Sequence, residues 1–255
     1  MFLYICLFVL MILSLLVYLS FNAYFLGGSA TLSYVVSRIK GIRGDVIVYF
    51  LWSIPYASTL VFVTSVITSH IVAKDFENKE SLIYYAYPIT RGRIVVSKFI
   101  AAFLLSLLSM VMFVLLEMVA ISVMFRSYPP MVSVLSFGLS ILCILSVVSV
   151  TTLFASLFRS SVFSALFFLI TYFVALNAIN FYFLVIGGDE PFFLLNNSIS
   201  LLSQVYSQIN LVPFGNVGYL SGVGPGTIYR DAIVLSLYCI MPLILSVVVT
   251  GRKEL

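Results

Sequence analysis

Apolar runs of about 20 residues or more recur six times along this chain, and that one feature removes most folds from consideration. A run of that length crosses the ~30 Å hydrocarbon core of a bilayer as a helix. Within hydrocarbon, every backbone N–H and C=O must be satisfied by the structure itself, which leaves helices and closed barrels. These runs do not alternate polar with apolar residues, so barrel strands are excluded and helices remain. The predicted spans cover residues 2–26, 46–70, 94–125, 131–157, 161–186 and 231–250. Composition agrees with the runs: 62% of the 255 residues are hydrophobic and 9% are charged. A soluble domain carries about 25% charged residues, so this surface is not built to face water. The expected fold is an all-α integral membrane protein with six transmembrane helices in a single domain over residues 1–255.

Residues 2–26 carry no charge and exceed the length of a signal-peptide core, so they are read as a membrane helix. Pro129-Pro130 and Arg159-Ser160-Ser161 make the two sharpest breaks, and both are short enough to predict antiparallel hairpins among spans three to five. Basic residues set the orientation. With residues 71–93 in the cytoplasm, eight of the Lys and Arg residues lie inside and five outside, which places both termini inside. Arg38, Lys40 and Arg43 fall on the outer side of that assignment. Leu32, Val35, Val36 and Ile39 recur at helical spacing, so residues 31–40 read as an amphipathic segment on the membrane surface.

Several functions are disfavoured by what is missing. No G-x-x-x-x-G-K-[ST] phosphate loop occurs, so the chain does not bind ATP in that manner. His70 is the single histidine, at the end of span two, and reads as an interfacial residue. Cys6, Cys143 and Cys239 each sit inside an apolar run without a Cys-x-x-Cys or Cys/His neighbour, which supports neither a metal site nor a disulfide framework. No catalytic set assembles from so few ionisable groups, and the chain reads as no enzyme. Basic residues at the ends of apolar runs reflect topology and not nucleic-acid binding.

The densest charge cluster is Lys74-Asp75-Phe76-Glu77-Asn78-Lys79-Glu80, followed by Ser81-Leu82-Ile83-Tyr84-Tyr85-Ala86-Tyr87 and Pro88-Ile89-Thr90-Arg91-Gly92-Arg93. The pattern predicts a short amphipathic helix with acidic residues near its start, where they suit the helix dipole. Pro88 disfavours helix at Tyr87 and ends the segment. Lys98, just inside span three, has a stem long enough to bring its ammonium back to the interface. A solvated loop with an interfacial tyrosine belt accounts for the same residues.

Glu77, the Pro88-Ile89-Thr90-Arg91 element and Lys98, ten residues after the proline, resemble the signature of ABC-2 type transporter permeases. Glu80-Ser81 stands where that family has Gly-Thr. Leu153-Phe154-Ala155-Ser156-Leu157-Phe158-Arg159-Ser160-Ser161 resembles the family's tight turn between spans four and five, and residues 187–230 match the placement of its short external helices. The resemblance implies a coupling helix seated in a groove of a separate P-loop ATPase, which would hold the ATP and magnesium. Leu82, Ile83, Tyr84 and Tyr85 would be its apolar anchors, and Glu77, Lys79, Glu80, Ser81 and Arg91 its polar contacts. A second permease chain, identical or paralogous, and a plasma-membrane location follow from the same resemblance.

Inside the membrane, Glu117 of span three is the one clear carboxylate, and ionised groups at that depth cost about 2.5–3.5 kcal/mol on insertion scales. It gates a substrate path, pairs with a neighbouring helix, or sits near the headgroups. Asn177 and Asn180 share one face of span five and either line a path or bond to a neighbouring element. Ser149, Thr152 and Ser156 suit close helix packing in span four. Phe192-Phe193-Leu194-Leu195, in a stretch too broken by Gly and Pro to span, predicts short interfacial helices acting as a structural cap or a lid. The expected function is the permease subunit of an ATP-driven exporter. A secondary transporter, or a membrane scaffold or assembly factor, is the alternative.

Overall fold

A computed structural model of the chain describes residues 44–77, 91–125, 131–158, 160–187, 191–200, 202 and 225–252. The first predicted span, the 31–40 segment, Cys6, residues 78–90 and most of the 187–230 stretch lie outside the described residues. Among the described residues there is no strand. The helices are α1 (Gly44–Glu77), α2 (Arg91–Phe125), α3 (Met131–Leu157), α4 (Ser161–Ile170), a π-helical turn (Thr171–Ala175), α5 (Leu176–Gly187), α6 (Leu195–Ile199) and α7 (Pro225–Arg252). Among the described residues, five segments are long and apolar enough to cross a membrane: Tyr56–Lys74, Gly92–Leu115, Ser136–Leu157, Ser161–Ile186 and Tyr229–Gly251. The chain is therefore an all-α, membrane-embedded protein.

The helices end for reasons written in the chain. At 34 and 35 residues, α1 and α2 run roughly 50 Å, well beyond the hydrocarbon thickness. Their charged ends, Lys74 on α1 and Arg91 and Arg93 on α2, thus have headgroups or water within reach. Between α3 and α4 the break is only residues 158–160. Ser160 is extended, and its carbonyl accepts the Ser164 N–H at 3.1 Å to open α4. Aromatic rings clasp this hairpin: Phe167 lies 5.2 Å from Phe154 and 5.0 Å from Phe158.

The residues cluster into two compact units, Met1–Thr59 with Ser109–Leu139 and Ser200–Ile228, and Leu60–Leu108 with Ser140–Ile199 and Tyr229–Leu255. In the first, Tyr56 stacks on Phe113 with ring centroids 5.7 Å apart. There Ser136 Oγ also donates to the carbonyl of the buried Leu202 at 3.1 Å.

The second unit has a core of Val61, Ile67, Val72, Ile144, Val148, Phe168 and Leu235, interleaved with buried hydroxyls. Several of these hydroxyls donate to a carbonyl three or four residues back, as Thr68 does to Thr64 and Thr152 to Val148, both at 2.7 Å. That satisfies them inside their own helix and lets the backbones approach closely. Two reach across instead: Ser149 Oγ donates to the Cys239 carbonyl of α7 at 2.6 Å, and Ser69 and Ser164 hydroxyls lie 3.3 Å apart between α1 and α4. The Tyr56–Lys74 segment is 61% buried, whereas Ser161–Ile186 and Tyr229–Gly251 are each 17% buried, so this part of α1 is enclosed while the later segments present most of their side chains outward.

Candidate functional site

Two places gather charged or amide side chains on these apolar helices. The first is the facing ends of α1 and α2, which flank the charged segment. Here Lys74 and Glu77 belong to the last turn of α1, and Arg91, Gly92 and Arg93 to the first turn of α2. The helices thus take up both ends of the segment that the sequence assigned to residues 74–93. Lys79, Glu80, Ser81, Leu82, Ile83, Tyr84, Tyr85 and Pro88 lie outside the described residues, as do the side chains of Glu77 and Arg91.

What the helix ends do show is how they are joined. The Lys98 ammonium donates to the Val72 carbonyl at 3.3 Å, a charge-assisted bond from the second turn of α2 to the last two turns of α1. That bond holds the ammonium against protein where the two helix ends meet. Val72, Ala73 and Ala155 pack together without exposed surface to speak of, drawing α3 against the same end. Gly92 touches α7: a Cβ added there would come within 3.1 Å of Val247 Cγ1. Four helix ends are therefore bound to one another around the start and finish of the charged segment. His70 is half-buried in α1 near this end.

The second place begins at the π-turn. The Leu176 N–H donates to the Thr171 carbonyl five residues back, which defines the widened turn. Thr171 Oγ1 donates to the Phe167 carbonyl at 2.8 Å, and Asn177 Nδ2 to the Phe173 carbonyl at 2.8 Å. The Phe167 carbonyl also accepts the Thr171 backbone N–H, so the hydroxyl adds a second bond at the entry to the turn. Tyr172, inside the turn, is buried and stacks on Phe168 at 6.1 Å.

One turn further on, the helix holds the segment that follows it. Asn196 Nδ2 donates to Asn177 Oδ1, and Asn197 Nδ2 donates to Asn180 Oδ1 at 3.0 Å and to the Pro191 carbonyl at 2.9 Å. Beneath these bonds Leu194, Leu195 and Ile199 are buried, so α6 is seated by apolar anchors as well as by amides. Tyr238 of α7 donates its hydroxyl to the Phe193 carbonyl at 3.0 Å, and the Arg230 guanidinium stands 5.1 Å from the centre of the Phe192 ring. Residues 191–200 form a cap tied to α5 and α7.

No family model matches this sequence, and no curated protein matches it. The site therefore rests on its own geometry.

That geometry brings Asn177 and Asn180 together with Asn196 and Asn197, and leaves Glu117 apart from the description. The Glu117 backbone is helical within α2, and its side chain is not among those described. Of the cap's apolar residues, Leu194 and Leu195 anchor it, while Phe192 and Phe193 remain about half exposed. Asn196 and Asn197 escaped the sequence reading. Their signal was an Asn pair 19 and 17 residues from a matching Asn pair in the span, which acquires meaning only once the chain is known to turn back between them. Among the described residues, no group of three His, Cys, Asp or Glu side chains comes together to hold a metal.

Proposed function

We propose that this chain is the membrane permease subunit of an ATP-driven exporter of the ABC-2 type, coupled to a separate P-loop ATPase. The observation that carries the reading is the Pro88-Ile89-Thr90-Arg91 element with Lys98 ten residues after the proline, placed between two membrane-crossing helices. Supporting it, α1 and α2 overreach the hydrocarbon, so the segment between them has access to a water-soluble partner. The Lys98–Val72 bond joins the two helix ends, so a push on the segment moves α1 and α2 together.

In this reading the 78–90 stretch seats an amphipathic helix in a groove of the ATPase, with Leu82, Ile83, Tyr84 and Tyr85 as anchors. ATP and magnesium belong to that partner. The charged face is cytoplasmic, residues 2–26 add a sixth span, and a second permease chain completes the path.

The test is assembly and coupling. Leu82→Glu or Tyr85→Glu should leave the protein in the membrane and abolish co-purification of the ATPase, or leave ATP hydrolysis running without export. Full export with a normally assembled ATPase in both variants would overturn the coupling role. Failure of the native chain to bring down any ATPase would favour a scaffold or a secondary transporter.

A further inference from the structure

The π-turn and the asparagine pairs meet in one residue, and that connection has a mechanical consequence. Asn177 donates through Nδ2 to the Phe173 carbonyl inside the turn, and accepts through Oδ1 from Asn196 of the cap. Its amide therefore reads the state of both. A π-turn accommodates one residue more than the α-helix around it. An α-helix advances about 100° and ~1.5 Å per residue, so the turn sets the rotational phase of everything after it. With the turn present, Asn177 and Asn180 face Asn196 and Asn197. Without it, α5 would be rotated by about 100° and both pairs would point elsewhere.

We propose that Thr171–Ala175 is a register hinge whose conversion to α-helix releases the 191–200 cap. π-Turns are rare and confined to single turns within α-helices, so the helix alone favours closure to α. The docked cap opposes that closure, because the Asn177–Asn196 and Asn180–Asn197 bonds exist only in the π register. The seated leucines, Leu194 and Leu195, add to the docked state. Each state is internally consistent and mixtures of the two are not, which makes the switch discrete. Register shifts of helices take place on the μs–ms scale. Tyr172 marks the pivot, since it is buried at the turn while Val174 beside it faces outward. The inference stands on this geometry alone and is independent of any ATPase partner.

The coupling is reciprocal, so a change on the cap must be felt at the turn. Hydrogen exchange of the full chain in detergent micelles or nanodiscs reads both ends. Deleting Val174 removes the extra residue while leaving Asn177 and Asn180 in place, because a residue-shorter helix needs no π-turn to reach the same phase. Cap amides of residues 191–200 should then exchange about tenfold more slowly than in the native chain. Asn177→Ala with Asn180→Ala should speed them about tenfold. Asn196→Ala, which leaves the helix untouched, should speed exchange of the Leu176 amide severalfold. A folded deletion variant whose cap exchanges as fast as native, or faster, overturns the proposal. Should the deletion variant fail to fold, an Asn196→Ala chain with unchanged exchange at Leu176 overturns it equally.

Discussion

Gly92 shows how side-chain volume decides a helix contact. The nearest atom to an added Cβ is Val247 Cγ1 at 3.1 Å, a side-chain carbon that need give by only a few tenths of an ångström. Gly92→Ala should therefore be tolerated, with a loss of at most about 1 kcal/mol, while Gly92→Leu should destabilise by about 1–3 kcal/mol through overpacking. Removing the obstruction makes the argument specific: Val247→Ala combined with Gly92→Leu should recover part of the loss, because residues in contact are not additive. Thermal unfolding of the four proteins in detergent measures this. Equal losses with and without Val247 would show that Gly92→Leu acts elsewhere. Asn177 and Asn180 illustrate what is legible at this scale. Their spacing of three placed them on one face, but no property of residues 161–187 discloses that the partners are the amides of Asn196 and Asn197.

At the scale of elements, the five later apolar runs fall within described helices, and some of those helices continue past the run. Span two was expected to end at residue 70, yet α1 continues to Glu77, and α7 extends from Pro225 to Arg252 around an expected 231–250. Hydropathy reports the hydrocarbon slab, whereas the helix ends only when its backbone ladder does. Lys and Glu are good helix formers, so a helix has no reason to stop at the first charge. α3 occupies 131–157 because hard stops, Pro129-Pro130 and the Arg159-Ser160-Ser161 break, bound it on both sides. The π-turn had no signature at all: Thr171-Tyr172-Phe173-Val174-Ala175 reads as plain apolar helix, and the turn appears only with the partners of Asn177 and the packing of Tyr172. Ser149 tests how helices α3 and α7 are held. It has no exposed surface, and its hydroxyl donates to the Cys239 carbonyl at 2.6 Å. Ser149→Ala should cost about 0.6 kcal/mol, the average for such bonds in membrane proteins. Ser149→Leu should cost several times more, because the added volume separates the backbones. If alanine proves as damaging as leucine in unfolding measurements, the bond and not the small volume would be what holds the pair.

For the whole molecule the decisive quantity is the parity of the crossings. If each of the five long segments crosses the bilayer, the end of α1, the start of α2, the hairpin at residues 158–160 and the end of α7 share one face. Within the second unit that side carries Lys74, Arg93 and Lys98, and the α7 end adds Arg252. The cap side holds Arg230, whose guanidinium is already engaged by the Phe192 ring and by Asp231 at 3.3 Å. Basic residues accumulate on the cytoplasmic side of membrane proteins, so the charged face should be inside and the cap outside. Reporter domains fused after residues 160 and 252 should both report the cytoplasm, and one inserted after Asn196 the opposite side. The pair of fusions tests more than orientation. Agreement between 160 and 252 requires an even number of crossings between them, which the segments Ser161–Ile186 and Tyr229–Gly251 supply. Opposite signals would mean that one of those two lies along the membrane instead of through it. Each is only 17% buried, so its outward side chains would then need a different cover, and the cap tied to both by Asn180 and Tyr238 would lose its place at a membrane surface.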